Sequence, residues 1–599
     1  MSEQINKLDA INEEFKFPIH FNKENKILNK TVLTDLELVK SINKGDEPIY
    51  NYVFKPTNIL SKITLETMAS IYTTDVKYLE DTQTLIKTLD KTHNDFQLTD
   101  NDLDETVYAW EEIKDETGFC EKYLYIDFEI GKFINHNATF LQCMSVYNIA
   151  SPILSLFLPI IILIVPFFIV KMKGIELNMD EYLNILKGIV ANHAIAKVFT
   201  NFNQVDTTQK IYLLVSAAFY VFSIYQNILI CIRFYSNMKK IHDYLFKFRK
   251  YINYTLNSMN YYLSISDKLT TYSDFNCELR KNMEILSHFK NNLDKITPLK
   301  FSFFKVMEIG HIMHTFYQLY DNDGYNNALL YSFGFNGYLS NLYGLKTNVV
   351  EGKINNTTFV QDDKKNDKKN DKKNDKKNDK KNDKKNDKPK FIQMYYPKFI
   401  DDENVVKNDC KLTKNIILTG PNASGKTTTL KSALINILLS QQFGMGCFES
   451  LILMPYNKLH CYLNIPDTSG RDSLFQAEAR RCKEIIDTID SNNDERHFCI
   501  FDELYSGTNP EEAVVSAFAF MNYIVKKNNV SCMLTTHYVK LCKKLAKNYR
   551  IQNFNMKTLK KNDNFKYTYL IQEGISKVKG GFKVLTDLNY PQEILDNTK

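Results

Sequence analysis

Apolar residues recur at three- and four-residue spacing from about residue 56 to 145, as in "LTDNDLDETVYAWEEI", with Asp or Thr where an N-cap belongs. That is the pattern of amphipathic helices. Two continuous apolar runs follow. Pro152 to Val170 has Ser155 as its only polar side chain, and Ile211 to Ile232 carries no charge but holds Ser216, Ser223, Gln226 and Asn227. Each reaches the roughly 20 residues that a helix needs to cross a bilayer. The stretch between them includes the amphipathic "MDEYLNILKGIVANHAIAKVF", and the first run contains Pro159 and Pro166, kinks that membrane helices tolerate better than soluble ones. Residues 151–232 are therefore expected to form a helical hairpin, either seated in a membrane or buried in a large soluble domain. Directly after it, residues 233–250 hold Arg233, Lys239, Lys240, Lys247, Arg249 and Lys250 against Asp243 alone. If the hairpin is a membrane one, this flank faces the cytosol. Helical periodicity then resumes to about residue 345.

The length of 599 residues exceeds one hydrophobic core and implies three or four domains at ~150 residues each. The formal charge of +6 first suggests nucleic acid, but its location removes the hint. Residues 363–386 are six repeats of "DKKN" with twelve Lys and six Asp, which account for the whole excess. The rest of the chain is neutral overall and gives no charge argument for DNA binding. The repeat has no apolar side chain to bury, so it reads as a solvated tether. The 11 Cys form no CxxC pair and no zinc-like Cys/His spacing, which fits a reducing, intracellular compartment. His311 and His314, three apart without a metalloprotease glutamate, read as ordinary helix-face residues. The polar, acidic start "MSEQINKLDAINEEF" is not a secretory signal.

The densest chemistry begins at Ile416, where "IILTGPNASGKTTTLKSALINILL" reads as an apolar strand, a glycine-rich turn and a helix. Gly420, Pro421, Asn422, Ala423, Ser424, Gly425, Lys426 and Thr427 fit GxxxxGK[ST] in that context, and Thr428 follows as the next candidate contact. Such a loop wraps phosphates with backbone N–H groups and adds the positive end of the helix dipole. Lys426 then reaches the outer phosphates and Thr427 holds magnesium, so the implied ligand is ATP with Mg2+. Further on, "HFCIFDELYSGTNPEE" predicts a buried strand ending in two carboxylates. Asp502 is expected to hold the metal through water, and Glu503 to orient or deprotonate the attacking water. A third apolar strand, "CMLTTHY", ends at His537, where an imidazole can sense the γ-phosphate.

Taken in order, "TGPNASGKTTTL", "DTSGRDSLFQAE", "FDELYSGTNPEEA" and "TTHY" resemble the ATPase domain of the MutS family, the mismatch-recognition branch of the ABC-type ATPases. "VVKNDCKL" before the loop and "IQEGISKVKGGFKVLTDLNYPQEIL" near the C-terminus agree with it. The resemblance is strong over residues 391–599 and weaker over 99–125. It implies an α/β ABC-type P-loop ATPase domain at the C-terminus, preceded by a mostly α-helical core and lever region. It also implies pairing of two such domains, expected as a homodimer, with Ser469 and Gly470 of one subunit closing on the nucleotide of the other. The family's mismatch reader uses Phe-x-Glu. Its two matches here are Phe119 to Glu121, in the helical region, and Phe501 to Glu503, the acidic strand itself, while "FYQLYDNDG" has Gln318 in place of the glutamate. Residues 1–55 are too few for the family's two N-terminal DNA domains, and the chain ends soon after Ile594 without the family's dimerising tail or a nuclease tail. The expectation is a divergent member lacking the mismatch-reading domain.

The expected division is an N-terminal segment at 1–55, helical core at 56–150, the apolar hairpin at 151–232, helical lever at 233–350, the linker at 351–390 and the ATPase domain at 391–599. Two functions compete. One is a magnesium-dependent ATP hydrolase coupled to DNA binding in mismatch repair or recombination. The other is a membrane-anchored ATPase of the same kind, held through 152–170 and 211–232 with its ATPase domain in the cytosol and a client other than mismatched DNA. A transporter is disfavoured, because two spans make a poor pathway.

Overall fold

A computed structural model of the chain describes residues 9–93, 98–114, 117–174, 179–192, 207–300, 302–360, 389–463, 465, 473–561, 564–578, 585–586 and 588–597. The DKKN repeat, Ser469 and Gly470 lie outside the described residues. The chain divides into two compact units, one of Phe96–Leu256 with Met283–Leu329, the other of Met1–Asp95, Asn257–Asn282 and Leu330–Lys599.

The first of these units is helical. Three of its helices are α1 (Ala138–Met172), α2 (Thr207–Ser266, of which residues up to Leu256 belong here) and α3 (Phe303–Asp321). Its interior is aromatic. Phe119 stacks on Tyr320 with ring centroids 4.0 Å apart, and the Trp110 indole donates to Asn326 Oδ1 at 3.0 Å. The Phe119 of the first Phe-x-Glu match is thus buried in a packed core. Gln318 belongs to α3, and His311 on the same helix bonds the Asn292 carbonyl at 2.9 Å. Glu112 gathers Lys122, Lys240 and the Tyr244 hydroxyl. Burial pushes its carboxyl up, but these three partners outweigh burial and hold it at about 2.

α1 and α2 pair in antiparallel fashion. The Tyr220 hydroxyl donates to the Ser155 carbonyl at 3.0 Å, and Cys231 Sγ lies 3.7 Å from the Ile149 carbonyl. Ser145, Asn148 and Ser151, three residues apart on one face of α1, are buried, whereas Ile153, Leu156, Phe157, Phe219 and Phe222 are exposed. The helix bounds overshoot the apolar runs because three- and four-residue periodicity continues on their flanks. Beyond Arg233, the same inward stripe of α2 carries Phe234, Met238, Ile241 and Leu245, all buried. α1 also packs closely on α3: Gln142 Nε2 donates to the Val306 carbonyl and its Oε1 accepts from the Gly310 N–H, both at 2.7 Å. A Cβ on Gly310 would stand 2.4 Å from the Ala138 carbonyl, so only glycine permits this approach.

The second unit is built on a six-stranded sheet of β1 (Asn415–Thr419), β2 (Lys458–Tyr462), β3 (His497–Asp502), β4 (Val530–Thr536), β5 (Ile551–Lys561) and β6 (Asn564–Glu573). The order is β6-β5-β1-β4-β3-β2, parallel except for the β5–β6 hairpin. β1 and β4 are buried along their whole length, as expected of strands covered on both faces. Helices α4 (Lys426–Phe443), α5 (Leu474–Ser491) and α6 (Pro510–Ile524) belong to this unit. Cys482, Ile485 and Ile489 of α5 and Phe520 and Ile524 of α6 pack with Phe501, Cys499 and Leu534 in one apolar core. A second, five-stranded sheet includes Asn408–Lys411, Lys390–Met394 and Ser450–Leu453.

α4 is buried on nearly every side, which a helix lying on one sheet would not be. The extra cover comes from the N-terminal 95 residues. Gln442 Nε2 donates to the carbonyls of Met68 and Ile71 at 3.0 and 2.8 Å, and Gln441 Nε2 donates to Thr73 and Tyr456 at 3.1 and 2.8 Å. Lys431 pairs with Glu37 at 2.9 Å. Two three-residue strands in this region, Asn25–Ile27 and Ile71–Thr73, pair antiparallel. The second interrupts the stretch whose periodicity predicts helix, and it is too short for alternation to show.

Candidate active site

The glycine-rich turn leaves the carboxyl end of β1 and enters α4. Its course demands unusual backbone: Ala423 and Gly425 have φ of +60° and +95°, and Gly425 stands as the N-cap of α4 without a side chain. A Cβ on Gly420 would meet Ser424 Oγ at 2.8 Å. Ser424 Oγ in turn donates to the Pro421 carbonyl at 2.7 Å, tying the turn to itself. Lys426 is 5% exposed and curls back over the loop, donating to the carbonyls of Gly420 at 3.1 Å and Pro421 at 3.2 Å.

β3 lies two strands from β1, with β4 between them, so its carboxyl end comes beside the same turn. Thr427 Oγ1 donates to Asp502 Oδ2 at 2.8 Å, and Thr535 Oγ1 on β4 donates to Asp502 Oδ1. Glu503 follows in the left-handed region at φ +50°, an unfavourable conformation for a residue with a Cβ, with its N–H donated to the Thr535 carbonyl at 3.1 Å. Its carboxylate lies 3.6 Å from Lys426 Nζ and 3.7 Å from His537 Nδ1. The His537 imidazole, aided by Lys426 and against the effect of burial, holds the Glu503 carboxyl below the usual range. Lys426, Thr427, Asp502, Glu503 and His537 are therefore brought together, with Thr428 on the first turn of α4. A cavity of about 720 Å3 opens over Asn422, Lys426, Thr427 and Asp502, with Tyr396 and Phe399 on its wall. Its size suits a drug-sized or nucleotide-sized ligand.

One residue of the site escapes sequence reasoning. Glu478 on α5 is buried and accepts three hydrogen bonds from the turn after Glu503: from the Ser506 N–H and hydroxyl, both at 2.9 Å, and from the Gly507 N–H at 3.1 Å. It fixes the path of the chain between Glu503 and α6. Its signal is a carboxylate set among Phe475, Cys482 and Ile485 on the inward side of an amphipathic helix, where a lone charge needs partners.

Residues 416–599 match the family model for MutS domain V. Over 205 residues, 33% of this chain, the sequence is 27% identical to the DNA mismatch repair protein MutS of Orientia tsutsugamushi (strain Ikeda), covering 22% of that protein. It is 28% identical over 202 residues to endonuclease MutS2 of Lactococcus lactis subsp. cremoris (strain MG1363), covering 25%, and 28% identical over 206 residues to the DNA mismatch repair protein MutS of Chlorobaculum tepidum, covering 23%. The chain thus matches about a quarter or less of the length of these relatives. Residues 416–599 are thus a MutS domain V, and over this C-terminal part the chain is similar to members of the MutS family.

Proposed function

We propose that residues 391–599 bind and hydrolyse ATP, that two copies of the chain pair through these domains, and that turnover is coupled to DNA. The observation that carries the reading is the convergence at the end of the glycine-rich turn, where Thr427 bonds Asp502 while Lys426 and His537 flank Glu503. The turn from Gly420 to Gly425, with Thr428 behind it, cradles the phosphates as a P-loop does. Lys426 exchanges the carbonyls of Gly420 and Pro421 for outer phosphate oxygens. Thr427 and Asp502 offer hard oxygen donors that fit Mg2+, which when bound neutralises charge developing on the phosphate. Glu503, ionised because its carboxyl is held low, orients the attacking water and accepts its proton. His537 senses the γ-phosphate beside it. In the paired state, Ser469 and Gly470 of the second copy close the site.

DNA as the client is supported by the names of the relatives in mismatch repair and by the family of the domain. The packing of Phe119 argues against its use as a wedge between bases, so a branched or otherwise non-mismatched structure is the favoured form. The test of the site is Glu503→Gln: ATP binding is retained and turnover falls by about 10²- to 10⁴-fold. Unchanged turnover would remove Glu503 from its role. The test of the client is the ATPase rate with duplex, mismatched and branched DNA across a salt series, and a flat response defeats the coupling. A second reading of the client, membrane-bound instead of DNA, is favoured by one observation: large apolar side chains of α1 and α2 face outward while small polar ones are buried between helices.

A further inference from the structure

The exposed apolar surface of α2 is wide. Ile211, Tyr212, Leu214, Phe219, Phe222 and Ile228 are all 42% or more exposed, and at 100° per residue their directions cover an arc of about 200°. Ser216, Ala217, Tyr220, Asn227 and Cys231 fill the remaining, half-buried stripe. One partner helix covers far less than such an arc, so the surface calls for a solvent that is itself apolar. The charge-free run of α2, Ile211 to Ile232, rises about 33 Å, against the ~30 Å of a bilayer's hydrocarbon core.

The root of the hairpin has a different character. Gln142 bonds Val306 while Gly310 lies against the Ala138 carbonyl one turn earlier, which sets α3 antiparallel to α1, and the contact of Cys231 with Ile149 places α2 beside α1. By these registers Tyr147 of α1, Tyr235 of α2, and Phe304 and Met307 of α3 lie within about 9 Å of the same height at 1.5 Å per residue. They are 59%, 61%, 81% and 62% exposed. Exposed Arg233 and Lys239 flank Tyr235 on α2, and exposed Lys295 and Lys300 precede α3. The acids near them are engaged, Glu308 with Lys305 and Thr297, and Asp294 with Lys290.

We propose that these four side chains form an interfacial collar that seats the helical unit on an anionic lipid bilayer, with the hairpin in the hydrocarbon and the collar at the headgroups. The inference rests on the membrane-bound reading and adds the depth and the lipid chemistry. Amphipathic rings and long apolar side chains belong at that level, a zone of roughly 5–8 Å on each side of the core, and the cations meet phosphate and serine headgroups. Both ends of the hairpin then emerge on one side.

Depth-dependent quenching tests it on the full chain. With Cys143→Ser, Cys231→Ser and Cys277→Ser as background, a fluorophore is attached at Phe222→Cys, Phe304→Cys or Glu284→Cys, and circular dichroism confirms the fold. Each protein is reconstituted into phosphatidylcholine–phosphatidylserine vesicles carrying spin labels either at the headgroup or near the acyl-chain end. Position 222 should lose more than about half its emission to the deep label, position 304 as much to the headgroup label, and position 284 little to either. Quenching at 222 without headgroup quenching at 304 overturns the collar and leaves the bilayer reading intact. No quenching at 222, as when a second copy of the chain covers the hairpin, overturns both.

Discussion

The sheet beneath Asp502 and the hairpin part of α1–α2, up to Ile232, bury opposite halves of their sequences. In the sheet, Ile417, Phe501 and Leu534 are fully inside and polar groups sit at strand ends, where the backbone frees them for chemistry. In the helix pair, Ser145, Asn148 and Ser151 are inside, while Phe157, Phe219 and Phe222 are outside. Small polar residues let helices approach closely and satisfy each other where water is absent. The difference teaches that apolar content alone does not locate a core. Which side of an element holds the apolar groups reports the medium outside it.

Paired substitutions at one residue type give the largest contrast. Phe501→Ala should destabilise its unit by about 3–5 kcal/mol, whereas Phe222→Ala in detergent should stay within about 0.5 kcal/mol; denaturation midpoints of the two variants read this directly. Equal losses would mean that Phe222 lies in a protein core. Next comes a charge at the same place. Phe222→Asp should cost about 2.5–3.5 kcal/mol at mid-bilayer and shift protein from the membrane pellet to the supernatant after sedimentation. No shift, with the fold retained, would remove the hydrocarbon from the comparison. On the sheet side, Glu478→Gln leaves a turn N–H facing an amide donor and should cost about 1–3 kcal/mol. Its sharper readout is kinetic: kcat lower by about tenfold with KM for ATP little changed, because the turn that carries Glu503 loses its path.

The last contrast appears only in acid. Glu112 has its carboxyl held at about 2 in the folded helical unit, below its unfolded value near 4.3. A depressed carboxyl contributes its full stability above the unfolded value and loses it as pH falls through about 4 to 2. Thermal unfolding of the helical unit should therefore worsen across that window, and Glu112→Gln should flatten the dependence. The sheet unit, whose Glu503 carboxyl is also held low, is followed separately through loss of nucleotide binding.

What the sequence makes legible follows from range. The turn at 420–425 and the strands ending at Asp502 and His537 are local patterns, and the residues they nominate meet in space because parallel strands bring their carboxyl ends to one edge. The helices of the first unit are legible from periodicity, and the apolar hairpin from composition. Neither tells that Asn148 turns inward while Tyr147 beside it turns outward, since the buried face of α1 depends on its pairing with α2 and α3. Illegible were contacts between residues far apart in sequence, 28 positions in one case and over 370 in another. Nothing near Met68 or Ile71 announces that their carbonyls receive Gln442, and nothing near Ser506 announces Glu478. The Phe119 to Glu121 match shows the converse, a short motif whose aromatic ring is spoken for by Tyr320.

The cover that the N-terminal 95 residues lay over α4 has a consequence for biosynthesis. Their partners Gln441 and Gln442 lie 368 and 374 residues later for the Thr73 and Met68 carbonyls. At about 5–20 residues per second, the ribosome holds the first segment for roughly 20–75 seconds before α4 exists. Through that interval the whole helical unit is made, and the buried side chains of the first segment, Tyr50, Phe54 and Tyr72 among them, have no α4 to pack against. Closure over such a sequence separation is intrinsically slow. Chains truncated before Lys426 are therefore expected to expose this apolar surface and to be recovered with chaperones, whereas chains extending past Phe443 should not be.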